Sequence, residues 1–144
     1  MHAAIFALKR AYLSTQHYVQ QQLVEFDLTP AQLDILIFLC GNANCGQKHI
    51  ETVFGIRSAT LARLLTTMEK RELIVRTADA ADSRQKNVAL TPRGKLLVDE
   101  VRQAKNEALT QRFFAHFSDE ETQQLEYLLK RVAKNMGDTS QNFW

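Results

Sequence analysis

Scarcity is the first feature of this 144-residue chain: two cysteines, two prolines and five glycines. Cys40 and Cys45 stand five apart, without the paired Cys-x-x-Cys spacing of a zinc site, and no secretory disulfide framework is visible. The four histidines, His2, His17, His49 and His116, are widely scattered, and no His-x-x-x-His pair supports a metal centre. With so few helix breakers in a chain rich in Leu, Ala, Gln, Glu, Lys and Arg, long helices are expected. No apolar run reaches the 18 or so residues of a membrane span. The apolar start is interrupted by Lys9 and Arg10 and no cleavage-like site follows, so it is not read as a secretory signal, and a cytoplasmic protein is expected. There is no glycine-rich phosphate loop and no nucleophile motif, so neither an enzyme nor a cofactor is expected.

What is present is ordinary in total and uneven in placement. Hydrophobic residues make up 45% and charged residues 24%, as in a globular domain, and the net charge is only +2. Residues 46–95, however, carry ten Lys/Arg against five Asp/Glu, whereas the flanks carry eight against eleven. A basic centre between mildly acidic ends suits a molecule that meets a polyanion with one lobe.

Ile5, Leu8, Tyr12, Val19, Leu23 and Phe26 form one stripe of a long first helix, with a polar gap around Thr15 and Gln16. A small chain has little to cover such a stripe, which points to a partner subunit. Thr29 with Gln32 reads as a capping box, Pro30 fits the first helical position, and Leu28 with Leu33 makes a hydrophobic staple. The buried run DILIFLC then stops at Gly41, and residues 41–46 read as a loop. Two short helices follow, divided by Gly55. The second, starting near Arg57, buries Leu61, Leu64, Leu65 and Met68 and turns Ala59, Arg63, Thr66 and Lys70 outward, flanked by Thr60 and Thr67. That outward face has no acidic residue before Glu69. Arg, Thr and Ala are side chains suited to a DNA major groove, whereas an ordinary solvated helix mixes Glu among its Lys and Arg.

Beyond Leu73 the pattern changes to two extended runs, IVRTAD and KNVAL, with a polar tip from Ala78 to Gln85. This hairpin presents Arg84 and Lys86 where a wing would meet DNA backbone or minor groove, with Asp82 placed to orient Arg84 by an ion pair. Thr91 and Pro92 open another long helix through Leu97, Val98, Val101 and Leu109 to Phe113, Phe114 and Phe117. Ser118 with Glu121 caps the last, which carries Leu125, Leu128, Leu129, Val132 and Met136 and ends at Gly137.

This order resembles the MarR (multiple antibiotic resistance regulator) family of bacterial transcription regulators over nearly the whole chain. The likeness is densest in LTPAQLDIL, GIRSATLARLLTTMEKRELIVR and DSRQKNVALTPRG. Its most specific part is the wing pattern carried by Asp82, Arg84, Leu90, Thr91 and Gly94. The resemblance implies a mainly α fold with a small β-hairpin, a winged helix-turn-helix with long terminal dimerisation helices. As one domain over 1–144, it would place a DNA-binding lobe at about 29–95, dimerisation helices at about 1–28 and 96–137, and a mobile tail at 138–144. It further implies a homodimeric repressor on a pseudo-palindromic double-stranded operator, released by a small aromatic or phenolic effector. Thr60, Arg63 and Thr67 would read the major groove and Arg84 the minor groove, with Arg57, Ser58, Thr66, Lys70 and Lys86 completing the surface. Arg57 stands where the family often has a capping serine, and Glu72 where it often has glycine.

Two other functions compete. A redox-responsive regulator would use Cys40 or Cys45. Cys40, ending an apolar helix run, is expected buried and inert, and Cys45, in the loop near Lys48, is expected exposed. A winged-helix module that docks on protein without binding DNA would be expected to have lost its basic wing, yet Arg63, Lys70, Arg84 and Lys86 remain.

Overall fold

The structure, a computed structural model, describes residues 2–138. The expected tail therefore lies, from residue 139 onward, outside the described residues. Helix α1 spans Ala3–Gln22 and is followed by a 3-10 turn, Val24–Phe26. The first stripe is thus broken before Phe26. Asp27 adopts a left-handed conformation, which redirects the chain into α2, Pro30–Gly41. The Thr29–Gln32 capping box is formed in both directions, at 3.2 and 2.9 Å.

Strand β1, Cys45–Gly46, leads into α3, Gln47–Phe54, and α4, Ser58–Lys70. Strands β2, Ile74–Ala78, and β3, Lys86–Leu90, follow, then α5, Pro92–Phe113, and α6, Asp119–Asn135. The expected hairpin is part of a three-stranded antiparallel sheet in the order β1-β3-β2, with Cys45 opposite Val88 and Ile74 opposite Leu90. Both cysteine expectations are reversed. Cys45 is buried, because pairing with Val88 draws it into the core, and burial pushes its thiol pKa up. Cys40 is exposed, because it falls on the outer side of the last turn of α2.

Ile35, Leu36, Ile50, Leu61, Leu65, Met68, Ile74, Val88 and Val98 are fully buried and join α2, α3, α4, the sheet and the start of α5 in one core. Gly94 explains the glycine of the wing pattern. A Cβ there would stand 2.1 Å from the Leu73 carbonyl oxygen, so only glycine lets α5 approach β2 this closely. The same carbonyl accepts from the Thr91 backbone NH at 3.1 Å and from the Thr91 hydroxyl at 3.0 Å.

Glu72, after α4, has φ +59°, the left-handed region that glycine occupies without strain. Its side chain offers an exposed ion pair to Arg93 at 3.0 Å, a contact of small worth. Glu72→Gly is therefore expected to stabilise the fold by about 0.5–1 kcal/mol, the relief of strain exceeding the lost pair and the added freedom of the unfolded chain. Melting at matched protein concentration checks this, and a lower Tm would refute it.

The terminal helices are covered on one side at most. Neither α1 nor α6 buries a single residue, although α1 shows Ile5, Phe6, Tyr12 and Leu13, and α6 shows Tyr127, Leu128, Val132 and Met136. Leu125 and Leu129 are half-buried beside Phe113 and Phe114, so α6 divides its apolar stripe between its own chain and the outside. The accessible surface of 10428 Å² exceeds the roughly 7,500 Å² of a compact monomer of this mass.

Candidate nucleic-acid interface

Helix α4 forms the centre of this surface. Leu61, Leu65 and Met68 are buried, and the 3.6-residue period therefore turns Thr60, Arg63, Thr67 and Lys70 to solvent. Arg57 occupies the N-cap position and makes no side-chain cap bond. The adjacent Ser58 hydroxyl donates instead to Glu51 Oε2 at 2.8 Å, which joins α3 to α4 and engages Ser58 within the fold. Arg57, Arg63 and Lys70 have no ion-pair partner among the described residues. The Thr67 hydroxyl donates back to the Arg63 carbonyl at 3.1 Å. Thr66 is half-buried, and Ala62, Arg63, Thr66 and Thr67 line a shallow depression on this face.

The acidic end of that face is neutralised by a residue the sequence reading did not single out. Arg76 on β2 donates from its backbone NH to Glu69 Oε1 at 3.1 Å. Its guanidinium donates to Glu69 Oε2 at 3.1 and 2.6 Å and to the Thr66 hydroxyl at 3.2 Å. Arg76 hydrogen bonding holds the Glu69 carboxyl below its ordinary value, so the latch between α4 and the wing is ionised and complete at neutral pH. A lone arginine in a strand gives no sign of a carboxylate seven residues back; only the pairing of β2 against α4 creates the contact.

In the wing, Arg84 is 91% exposed and its Nε stands 3.3 Å from Asp82 Oδ1. The same oxygen accepts from the Arg84 backbone NH at 3.0 Å. The tip itself is organised by Asp79. Its carboxylate accepts from the Ala81 and Asp82 backbone NH groups at 2.8 and 3.1 Å and from the Asn87 amide at 2.9 Å, bonds that lower its pKa. Lys86 lies at the base of the wing, where it shares a cleft of about 280 Å³ with Gln47, Lys48, Glu51, Arg84 and Gln85. Gln47 and Lys48, at the start of α3, thereby join the basic surface. Their place there depends on the β1–β3 pairing, and no local pattern announces it.

One contact ties this lobe to the turn that follows α1, and another joins that turn to α5. The Arg71 guanidinium donates to the Asp27 carbonyl and, at 3.1 Å, to the Phe26 carbonyl, and Lys105 on α5 pairs with Glu25. Between α1, α2 and α5 lies an apolar cavity of about 110 Å³, whose lining includes Tyr18, Leu23, Leu33, Ile37 and Val101 together with Arg102, Lys105 and Asn106. Arg112 stacks over the Tyr18 ring at 4.8 Å. Among the described residues, no group of three His, Cys, Asp or Glu converges as a metal site, and no helix is long and apolar enough to cross a membrane.

Residues 26–85 match the family model described as the MarR family. The chain is 23% identical over 128 residues to the HTH-type transcriptional repressor MdtR of Bacillus subtilis, covering 89% of this chain and 82% of MdtR. It is 31% identical over 90 residues to the HTH-type transcriptional regulator SarZ of Staphylococcus aureus, covering 60% of each. Among solved structures, BpsR of Bordetella bronchiseptica, whose DNA binding is regulated by 6-hydroxynicotinic acid, superposes with a TM-score of 0.81 at 29% identity. That match covers 92% of this chain and 99% of BpsR. A MarR mutant from E. coli in complex with operator DNA shares the fold at a TM-score of 0.81 and 23% identity, covering 88% and 90% of the two chains.

Proposed function

We propose that this chain, which matches the MarR family of transcription regulators over residues 26–85, is a DNA-binding regulator that acts as a homodimeric repressor by occupancy. Each protomer lays α4 in a major groove of one half of a pseudo-palindromic operator and reaches along the backbone with its wing. The observation that carries this reading is the free cationic face of α4, with Arg63 central and Glu69 already neutralised by Arg76. Arg57, Lys70 and Lys86, with Ser58 beside them, flank the groove contacts. The division into a DNA-binding lobe at about 29–95 and dimerisation helices at about 1–28 and 96–137 goes with it.

We further propose that release comes from a small aromatic or phenolic molecule at the cavity between α1, α2 and α5. Apolar walls suit a single ring. Because the cavity touches both a terminal helix and the lobe, filling it changes the spacing of the two recognition helices. Its volume is below the roughly 150 Å³ of a cavity that takes benzene, so occupancy requires α1 and α5 to part slightly.

Selection of bound fragments from genomic DNA, followed by mobility shifts at low and moderate salt, tests the function. One enriched motif with two half-sites is expected; no shift on any duplex, even at low salt, would support the protein-docking alternative. In the same assay Arg84→Ala should leave melting and dimerisation intact and weaken binding. Its salt slope should fall by roughly one charge per wing, and any flanking A/T preference should fade. Affinity and slope equal to the parent would mean that Arg84 only pairs with Asp82.

A further inference from the structure

Thr66 and Thr67 are neighbours on α4, yet the fold uses their hydroxyl groups in opposite ways. The Thr67 hydroxyl spends its proton on the Arg63 carbonyl of its own helix, at 3.1 Å. The Thr66 oxygen instead accepts a hydrogen bond from the Arg76 guanidinium, at 3.2 Å, and Arg76 can only donate. Among the described residues the Thr66 hydroxyl donates to no protein acceptor. Its proton is therefore free to turn into the depression it shares with Ala62, Arg63 and Thr67. A guanidinium on one side of an oxygen also strengthens that oxygen as a donor and repels a second incoming N–H.

We propose that Arg76 sets the hydrogen-bonding polarity of Thr66, making it a donor that reads an acceptor on a base edge in the major groove. The acceptors available there are the N7 of either purine, guanine O6 and thymine O4. Thr67, with its proton engaged, presents only oxygen lone pairs and a methyl group. Arg76 is a positioning residue: it does not face the groove, but through Thr66 it changes which groups on the base are favoured. Glu69 completes the device by holding the guanidinium in place, with two of its three bonds from Arg76 made by the side chain. The inference rests on the DNA-binding reading of α4 and adds the origin of its selectivity at one position.

The test compares the motifs that the parent, Thr66→Val, Thr66→Ser and the neutral double variant Glu69→Gln/Arg76→Met select from randomised duplexes. Thr66→Val keeps the side-chain shape and should flatten preference at one position per half-site, by roughly tenfold between best and worst base. Thr66→Ser should retain that preference. The double variant should flatten the same position, because the released hydroxyl is able to accept as well as donate, while leaving the other positions ranked as in the parent. Removing the acceptor at that base, with a 7-deazapurine or with 4-thiothymine, should weaken the parent and Thr67→Val but not Thr66→Val. A Thr66→Val motif identical to the parent, a parent indifferent to acceptor removal, or a double variant that keeps the full preference would each overturn the inference alone. A parent that selects no motif at all would overturn the function on which it rests.

Discussion

Leu128→Asp, or a chain ended before Ser118, is expected to give aggregated or poorly folded protein in place of a well-behaved monomer. Leu128 is 44% exposed in the single chain, between Tyr127 and Val132 on the outer face of α6. The chain as a whole exceeds a compact monomer by roughly 2,900 Å² of accessible surface. Obligate homodimers bury about 2,000–5,000 Å² counted over both partners, roughly 1,000–2,500 Å² from each, which lies within that per-chain excess. An aspartate there would place a carboxylate in an apolar contact with no cation chosen for it, at a cost of several kcal/mol in each of two protomers. Lys130 and Arg131 are near in sequence, but Lys130 pairs with Glu126 and Arg131 stacks on the Tyr127 ring. Folding and pairing are linked when the monomer exposes this much apolar surface. Sedimentation and thermal melting check the outcome. A soluble monomer with a cooperative transition would show that α1 and α6 stand without a partner.

Arg63→Ala should weaken operator binding by about 1–3 kcal/mol per half-site, roughly a five- to 150-fold rise in Kd for each contact, and relax the motif at one position. The expectation follows from its setting. Arg63 is exposed at the middle of the face opposite Leu61, Leu65 and Met68, and it has no ion pair among the described residues. Its backbone carbonyl accepts the Thr67 hydroxyl, a bond that alanine preserves, so the helix and the melting temperature should be little changed. The salt slope separates base reading from a phosphate contact. A phosphate contact would lower affinity evenly across sequences and reduce the slope by about one per arginine, with the motif unchanged.

Helix limits were readable from local rules because a cap acts over three residues. Thr29 with Gln32, Ser118 with Glu121, and Thr91 with Pro92 set starts that the structure repeats. The outward face of α4 was legible for a similar reason: Leu61, Leu65 and Met68, buried at helical spacing with Leu64 half-buried beside them, fix the direction of the rest. The wing tip was half legible. Arg84 and Asp82 are two apart and meet as expected, but Asp79, which ties Ala81, Asp82 and Asn87 together, went unnoticed because turn residues carry no periodicity.

By itself the sequence determined the order and type of the helices, the basic central lobe, and two apolar stripes too large for one small chain to cover. These are consequences of spacing and short-range hydrogen bonding, written within a few turns of helix. The tertiary structure decided everything that depends on strands meeting. A two-residue β1 has no pattern of its own, yet its pairing with β3 buries Cys45 and brings Gln47 and Lys48 to the wing. Arg71 reaches back to Phe26 and Asp27, and Arg76 reaches Glu69 and Thr66, only because the chain has already folded around the core that unites α4 with the sheet. Side chains of this kind are placed by loop closure and packing, whose cost and reward are set by the whole fold and not by the residues beside them.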